Sequence, residues 1–291
     1  MTDIVYLNGR FIPKQDASIS ILDRGFLLAD GIYEVIPVYA GKVFRLGQHL
    51  RRLAQSLQAI HLDNPNDDVI WEQILTELVA KNSQGNLSIY LQVTRGAPEI
   101  RDHQFPTTTV QPTVLAMCTP LSPPTTENLD NPPESCAITL DDIRWSRCDI
   151  KSISLLPNLL LRQQAIEAGA HEALLIRNGE VTEGAASNVF IVKDHTILTP
   201  PLSNFLLGGI TRDIIIELAK ANKIPLKQTT ISAHTLSQAD EIWVTSSTKE
   251  VVPIVKLDDK PVGSGQAGPM WRRMAEIFVK YKQDLFSTGG N

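Results

Sequence analysis

The sequence predicts an α+β protein of two domains, and three observations carry that expectation. Strand-like and helix-like segments are mixed in both halves, with many strands following one another directly, a pattern that favours α+β over doubly wound α/β. The stretch 119-TPLSPPTTENLDNPPES-135 has five prolines and almost no apolar periodicity, so it reads as a linker. The 291 residues suit two domains of moderate size, each able to bury its own core. The expected division is an N-terminal domain over 1–118, a linker over 119–135 and a C-terminal domain over 136–291.

Each element has a local reason. In 4-IVYLNGRFI-12 an Asn-Gly pair separates two apolar runs, which signals a hairpin. The segment 32-IYEVIPVYAGKVFRL-46 reads as a strand, a Gly-containing turn and a second strand, with Pro37 marking an edge or a bulge. Apolar residues at 50, 53, 57 and 60 make 48-QHLRRLAQSLQAI-60 a helix, and those at 70, 74, 75 and 78 do the same for 69-VIWEQILTELVAKN-82. Leu87, Ile89, Leu91 and Val93 alternate as in a half-buried strand, and 113-TVLAMC-118 is another strand. The second half begins with the strand-like 136-CAITLDDIRW-145. Pro157 opens a helix that continues through 158-NLLLRQQAIEA-168 until Gly169 stops it. Asn178-Gly179 centres a hairpin in 172-EALLIRNGEVTEG-184. Strands are expected over 188-NVFIV-192, 196-TILTP-200, 241-EIWVTSS-247 and 251-VVPIVKL-257, and helices over 208-GGITRDIIIELAKAN-222 and 270-MWRRMAEIFVKYK-282.

Composition removes several function classes. The net charge is -5, and no basic stripe suggests a nucleic-acid partner. No apolar run reaches the roughly 18 residues of a membrane span, and MTDIVYLNGR lacks the pattern of a secretion signal. Cys118, Cys136 and Cys148 have no metal-ligand spacing and read as free thiols in a reducing, cytoplasmic compartment. The six histidines are scattered, so no metal is expected. GxSxG, HExxH and Walker A motifs are missing, and no GxGxxG opens a βα unit.

Six groups could carry chemistry, and each has two readings. Lys151, in 145-WSRCDIKSISLLPN-158, either snorkels to solvent or loses its proton in a dry pocket and attacks a carbonyl. The glycines and Thr211 of 208-GGITRD-213 form an ordinary helix cap or an anion site. The hydroxyls of 244-VTSSTKE-250 make a polar turn or bind a phosphate. Arg52, beside Arg51, is solvated or points inward. Glu183, in 181-VTEGAASNVF-190, is a common strand-end acid or faces a flat ligand across backbone with little side-chain cover. Arg101 and His103, in 94-TRGAPEIRDHQFP-106, belong to a surface loop or share one face that suits a carboxylate. An amine, an anion cradle, a ring-nitrogen acid and a carboxylate trap together match what pyridoxal phosphate and an amino-acid substrate require.

Nearly end to end, the chain resembles the fold-type IV, class IV aminotransferases, and most closely their D-amino-acid members. The resemblance runs through 5-VYLNGRFI-12, 23-DRGFLLADGIYEVIPVYAGKVF-44, 90-YLQVTRG-96, 149-DIKSISLLPNLLLRQQA-165, 172-EALLIRNGEVTEGAASNVF-190 and 208-GGITRD-213. It implies a smaller N-terminal α/β domain and a larger C-terminal domain with a β-barrel-like sheet. It implies that Lys151 holds pyridoxal 5'-phosphate covalently and moves the substrate proton, and that Glu183 pairs with the ring nitrogen. Arg52, Ile210, Thr211 and Ser247 would hold the phosphate, Leu207 would pack on the ring, and Tyr33 and Val35 would line the substrate site. Tyr33, with Arg101 and His103 lent by a neighbouring subunit, would bind the α-carboxylate, so a homodimer is implied. The implied reaction moves an amino group from a D-amino acid such as D-alanine to 2-oxoglutarate, giving the 2-oxo acid and D-glutamate. An aminodeoxychorismate lyase, an (R)-selective amine or branched-chain transaminase, and a catalytically idle ligand-binding protein are the alternatives. Pro37 stands where D-enzymes often carry a basic residue, Ala185 and Ala186 where hydroxyls are common, and Ser247 where threonine is frequent.

Overall fold

The computed structural model describes residues 3–82, 85–133 and 135–287. The chain forms two compact units, Met1–Ser122 with Ile150–Leu155, and Pro123–Asp149 with Leu156–Asn291. Residues 150–155 thus join the first unit, and most of the expected linker joins the second. Non-local hydrogen bonds explain both placements. The Tyr33 N–H donates to the Lys151 carbonyl at 3.0 Å and the Ile153 N–H to the Gly31 carbonyl at 3.1 Å. In the linker, a 3-10 turn over Thr125–Glu127 buries Thr126, whose hydroxyl donates to the Glu250 carboxylate.

The first unit is an antiparallel sheet of six strands in the order β2-β1-β6-β5-β3-β4. The strands are β1 (Ile4–Leu7), β2 (Arg10–Pro13), β3 (Gly31–Tyr39), β4 (Lys42–Val43), β5 (Leu87–Thr94) and β6 (Thr113–Pro120). The helices are α1 (Arg24–Leu28), α2 (Leu46–Ala59) and α3 (Asp68–Asn82). Alternation along β3 and β5 sorts their side chains onto two faces. Ile32, Ile36 and Val38 join Ile89, Leu91 and Val93 in one core with Leu50, Leu53 and Leu57 of α2 and Trp71, Leu75 and Leu78 of α3. Tyr33, Val35, Tyr90 and Gln92 occupy the other face, Tyr33 opposite Gln92 and Val35 opposite Tyr90. Pro37 lies in β3, which has β5 along nearly its whole length and the two-residue β4 on its other side. Its ring nitrogen shares the β4 side with its carbonyl, which accepts from the Phe44 N–H at 2.8 Å, so the β3–β5 ladder loses no bond.

The second unit contains a nine-stranded sheet. Its elements are β7 (Ser135–Asp141), α4 (Leu156–Glu167), β8 (Glu172–Arg177), β9 (Glu180–Gly184), β10 (Asn188–Lys193), β11 (Thr196–Thr199), α5 (Ile210–Ala221), β12 (Leu226–Gln228), α6 (Ala233–Ser237), β13 (Glu241–Ser246), β14 (Glu250–Leu257), β15 (Lys260–Pro261) and α7 (Pro269–Ser287). The order is β12-β11-β10-β13-β14-β7-β8-β9, with β15 on β14, and the sheet curls into a half-barrel that brings β9 beside β10. Asn178 and Gly179 close the β8–β9 hairpin with φ of 52° and 80°, the left-handed pair that a two-residue turn requires. Val189, Ile191, Ile242, Val244, Val252 and Ile254 share a core with Ile231 and Leu236. At alternate positions, Phe190 and Trp243 stack with centroids 6.2 Å apart. Both sheet faces are therefore covered, which is why these strands read as continuous apolar runs. The run 263-GSGQAG-268 has GxGxxG spacing but lies between the antiparallel β15 and α7, so it is not part of a parallel dinucleotide-binding unit.

Candidate active site

In the first unit, residues 150–153 run along the open side of β3, with an antiparallel bridge between Ile32 and Ser152. The Lys151 N–H donates to the Ser56 hydroxyl at 3.2 Å. Backbone contacts on both sides therefore fix where Lys151 departs. Its Nζ stands 4.1 Å from the Tyr33 ring centroid, a cation–π distance. Tyr33 stacks on Tyr90 at 5.7 Å, and the Tyr90 hydroxyl donates to Gln92 at 2.6 Å. Burial pushes the Tyr90 phenol up to about 12, so it remains a neutral donor. Tyr33 and Val35 are both half-buried on this face.

Arg52 points inward from α2, while Arg51 is exposed. Its Nε and Nη2 donate to the two oxygens of Glu34 at 2.8 and 2.7 Å, a fork that matches carboxylate geometry. His49 Nδ1 lies 2.8 Å from the same carboxylate. Burial alone would raise the Glu34 carboxyl, but the charge and hydrogen bonds of Arg52 outweigh it and hold Glu34 at about 2. Burial pushes His49 below its ordinary value, which leaves a neutral ring able to donate from Nδ1. Sequence reasoning missed Glu34 and His49. Their signal was present: His49, Arg52, Leu53 and Ser56 share one stripe of α2, and Glu34 alternates with Ile32 and Ile36. Arg101 and His103 lie in the same unit on an exposed loop between β5 and β6.

In the second unit, Glu183 near the end of β9 is buried and makes three contacts. One oxygen accepts from Arg144, and the other accepts from the Leu207 N–H at 3.0 Å and from Asn188 Nδ2 at 3.2 Å. Asn188 also donates to the Leu207 carbonyl at 2.8 Å, so one side chain ties Leu207 to Glu183. Arg144 is itself held by Asp142, with its Nε and Nη2 each 2.9 Å from an Asp142 oxygen. Burial would raise Asp142, but Arg144 draws it down to about 2. Burial also dominates at Glu183, pushing its carboxyl up to about 7 against the pull of Arg144 and the Leu207 N–H. A carboxyl in that state gains from a further cationic hydrogen-bond donor. Arg144 and Asn188 carried no chemical assignment in the sequence reading, because neither lies at a motif position that names its partner.

Ile210 and Thr211 are buried at the start of α5, whose cap Gly209 supplies no side-chain hydrogen bond. A Cβ on Gly209 would lie 2.0 Å from Asn188 Oδ1, so only glycine fits against the asparagine that serves Glu183. Ser247 is half-buried in the turn after β13, and the neighbouring Thr245 Oγ1 is buried without a hydrogen-bond partner. First-turn N–H groups and hydroxyls suit a phosphate. Glu183, whose buried carboxyl is pushed up to about 7 even with Arg144 bonded to it, suits a protonated pyridine nitrogen. The side chains present thus fit pyridoxal phosphate. Ala185 is 2% exposed and packs with Leu161 and Ala165, whereas Ala186 is exposed. Among the described residues, no helix is long and apolar enough to cross a membrane.

The family model for class IV amino-transferases matches residues 31–257. The D-alanine aminotransferase of Staphylococcus haemolyticus is 41% identical over 277 residues, spanning 95% of this chain and 97% of that protein. The D-alanine aminotransferase of Bacillus licheniformis is 40% identical over 271 residues, spanning 93% of this chain and 94% of that protein. The branched-chain aminotransferase of Thermoproteus uzoniensis, solved with norvaline, superposes with a TM-score of 0.86 at 26% identity, covering 96% of this chain and 94% of that one. The chain belongs to the class IV amino-transferases, which are pyridoxal-phosphate-dependent enzymes.

Proposed function

We propose that the chain transfers amino groups between D-amino acids and 2-oxo acids, with D-alanine and 2-oxoglutarate giving pyruvate and D-glutamate. The observation that carries this reading is the Lys151 amine 4.1 Å from the Tyr33 ring centroid, on a residue whose backbone is bonded on both sides. The 41% identity to a D-alanine aminotransferase favours D-amino acids. The branched-chain enzyme shares the fold at 26% identity and supplies the second reading.

Bound pyridoxal phosphate supplies an electron sink for the electrons released at the substrate Cα. The residues do the rest. Lys151 would hold the cofactor covalently between turnovers, and its Nζ would take the proton from the substrate Cα and deliver it to the C4′ carbon of the cofactor. Glu183 keeps a proton on the ring nitrogen. Leu207 packs against the ring. The Ile210 and Thr211 N–H groups, the Thr211 and Ser247 hydroxyls, and Arg52 hold the phosphate. Tyr33 and Val35 line the substrate side, and Arg101 and His103 of a second copy pair with the α-carboxylate. A cytoplasmic homodimer is part of this reading. The exposed Leu156, Leu159 and Leu160 on α4, at helical spacing, support an apolar face covered by a second copy.

Parallel assays with D-alanine, D-glutamate, L-leucine and (R)-1-phenylethylamine test the substrate class. D-alanine and D-glutamate are expected to react fastest, and a preference for L-leucine would support the branched-chain reading. Arg101→Ala is expected to raise KM for D-alanine by about ten- to a hundredfold, the worth of a charged contact in a partly closed site. An unaltered KM would remove Arg101 from the carboxylate site.

Arg52 has a dual task, and its variants separate the parts. Arg52→Ala leaves the buried Glu34 without its cation, an expected cost of about 3–5 kcal/mol in a denaturant melt. It should also weaken cofactor retention, with excess pyridoxal phosphate restoring part of the activity. Adding Glu34→Gln should recover stability but not retention. Equal cofactor affinity in parent and Arg52→Ala would mean that the guanidinium serves Glu34 alone.

A further inference from the structure

The segment carrying Arg101 and His103 is held from behind by a buried arginine. Arg24, only 4% exposed, follows the α1 cap Asp23, whose carboxylate accepts from the Gly25 N–H at 2.8 Å and the Thr94 hydroxyl at 2.9 Å. Arg24 Nη1 donates to the carbonyls of Asp102 at 2.6 Å and Gln104 at 3.2 Å, and Nη2 reaches the His103 carbonyl at 3.5 Å. Three successive carbonyls therefore converge on one guanidinium, while the side chains of Arg101 and His103 are exposed. Arg24 Nε is fixed by Asp30 at 2.7 Å. Arg95 clamps the same Asp30 with bonds of 2.8 and 3.1 Å and donates to the Ile60 and His61 carbonyls at 2.7 and 3.0 Å. The Phe105 ring lies 3.9 Å from the Arg95 guanidinium carbon and 5.9 Å from that of Arg24. The loop is thus pinned by its backbone to an ion cluster anchored between β3 and β5.

We propose that Arg24, braced by Asp30 and Arg95 and covered by Phe105, is a positioning residue for the carboxylate-binding segment 101–103. It sets the affinity for amino-acid substrates without touching them. The proposal rests on the reading of Arg101 and His103 given above. A planar fork can gather several carbonyls at once, which the point charge of lysine cannot do in the same geometry. A loop that is not held in place must be ordered when substrate binds, and the affinity falls accordingly.

The test uses the holoenzyme with Arg24→Lys, Phe105→Ala, Arg101→Ala and the double variant Arg24→Lys/Arg101→Ala. Phe105 is exposed, so its truncation keeps the fold if Arg24→Lys does not. Arg24→Lys is expected to raise KM for D-alanine by about tenfold and Phe105→Ala by about threefold, with kcat changed less than about twofold. Reaction of the bound cofactor with hydroxylamine, an amine without a carboxylate, should keep the parent rate in both. Amide hydrogen exchange over 101–106 should quicken by about tenfold in Arg24→Lys. The double variant should be no worse than Arg101→Ala, because both act through one segment. If Arg101→Ala raises KM while Arg24→Lys and Phe105→Ala do not, the positioning role is overturned and the carboxylate reading stands. If Arg101→Ala is itself silent, both fall. Equal losses toward D-alanine and hydroxylamine would show a general structural effect and overturn the proposal.

Discussion

Lys151→Ala is expected to lower transamination of D-alanine by about a thousandfold or more, the scale of a missing general acid–base group. The folded protein should survive. Residues 150–153 are held by backbone bonds to Gly31 and Tyr33 and by the Ser56 hydroxyl, and none of these uses the lysine side chain. The cofactor should still bind, but borohydride reduction should no longer attach a phosphopyridoxyl group to the chain. Exogenous small amines should recover part of the rate by carrying the proton that Nζ no longer moves. Turnover near the parent rate, or borohydride labelling of another lysine, would refute the assignment.

Glu183→Gln is expected to reduce turnover by about ten- to a hundredfold, equivalent to a charge-assisted hydrogen bond of about 1.5–3 kcal/mol. The reason lies in how the site is built. Glu183 is buried, and its carboxyl is pushed up to about 7 even beside Arg144. On the proposed reading, the glutamine keeps the shape but loses the negative charge that would hold a proton on the ring nitrogen. Arg144 is not left unpaired, because Asp142 holds it with two hydrogen bonds of 2.9 Å. The thermal midpoint should therefore move little while the cofactor spectrum and turnover change together. If the spectrum and the rate both stay at parent values, another group faces the ring nitrogen.

Local pattern made much of the architecture legible. The alternation of Leu87, Ile89, Leu91 and Val93 identifies β5 because one sheet face packs on helices, and those residues are in the core. The Asn-Gly hairpins were legible because few residues other than Asn and Gly adopt their φ values easily. The short elements α1, α6 and β12 escaped because a period needs a longer window to show and no Asn-Gly turn marks them. Non-local pairing was beyond reach as well. Nothing within 149-DIKS-152 tells that its backbone bridges to β3, and a prolines-and-polar linker gives no sign that Thr126 bonds Glu250. The site divides the same way. Lys151, Glu183 and the 208-GGITRD-213 turn stood out by residue type, position and family resemblance. The partners Glu34, His49, Arg144 and Arg24 did not, because a charged residue looks solvated until its buried counter-charge is seen.

Chiral analysis of the product tests the central claim most directly. The purified holoenzyme is incubated with D-alanine and 2-oxoglutarate, and the glutamate formed is resolved into its enantiomers alongside a measurement of pyruvate. The account predicts D-glutamate and pyruvate in equal amounts, with little product when L-leucine replaces D-alanine. L-glutamate as the product, or faster turnover of L-leucine than of D-alanine, would contradict it.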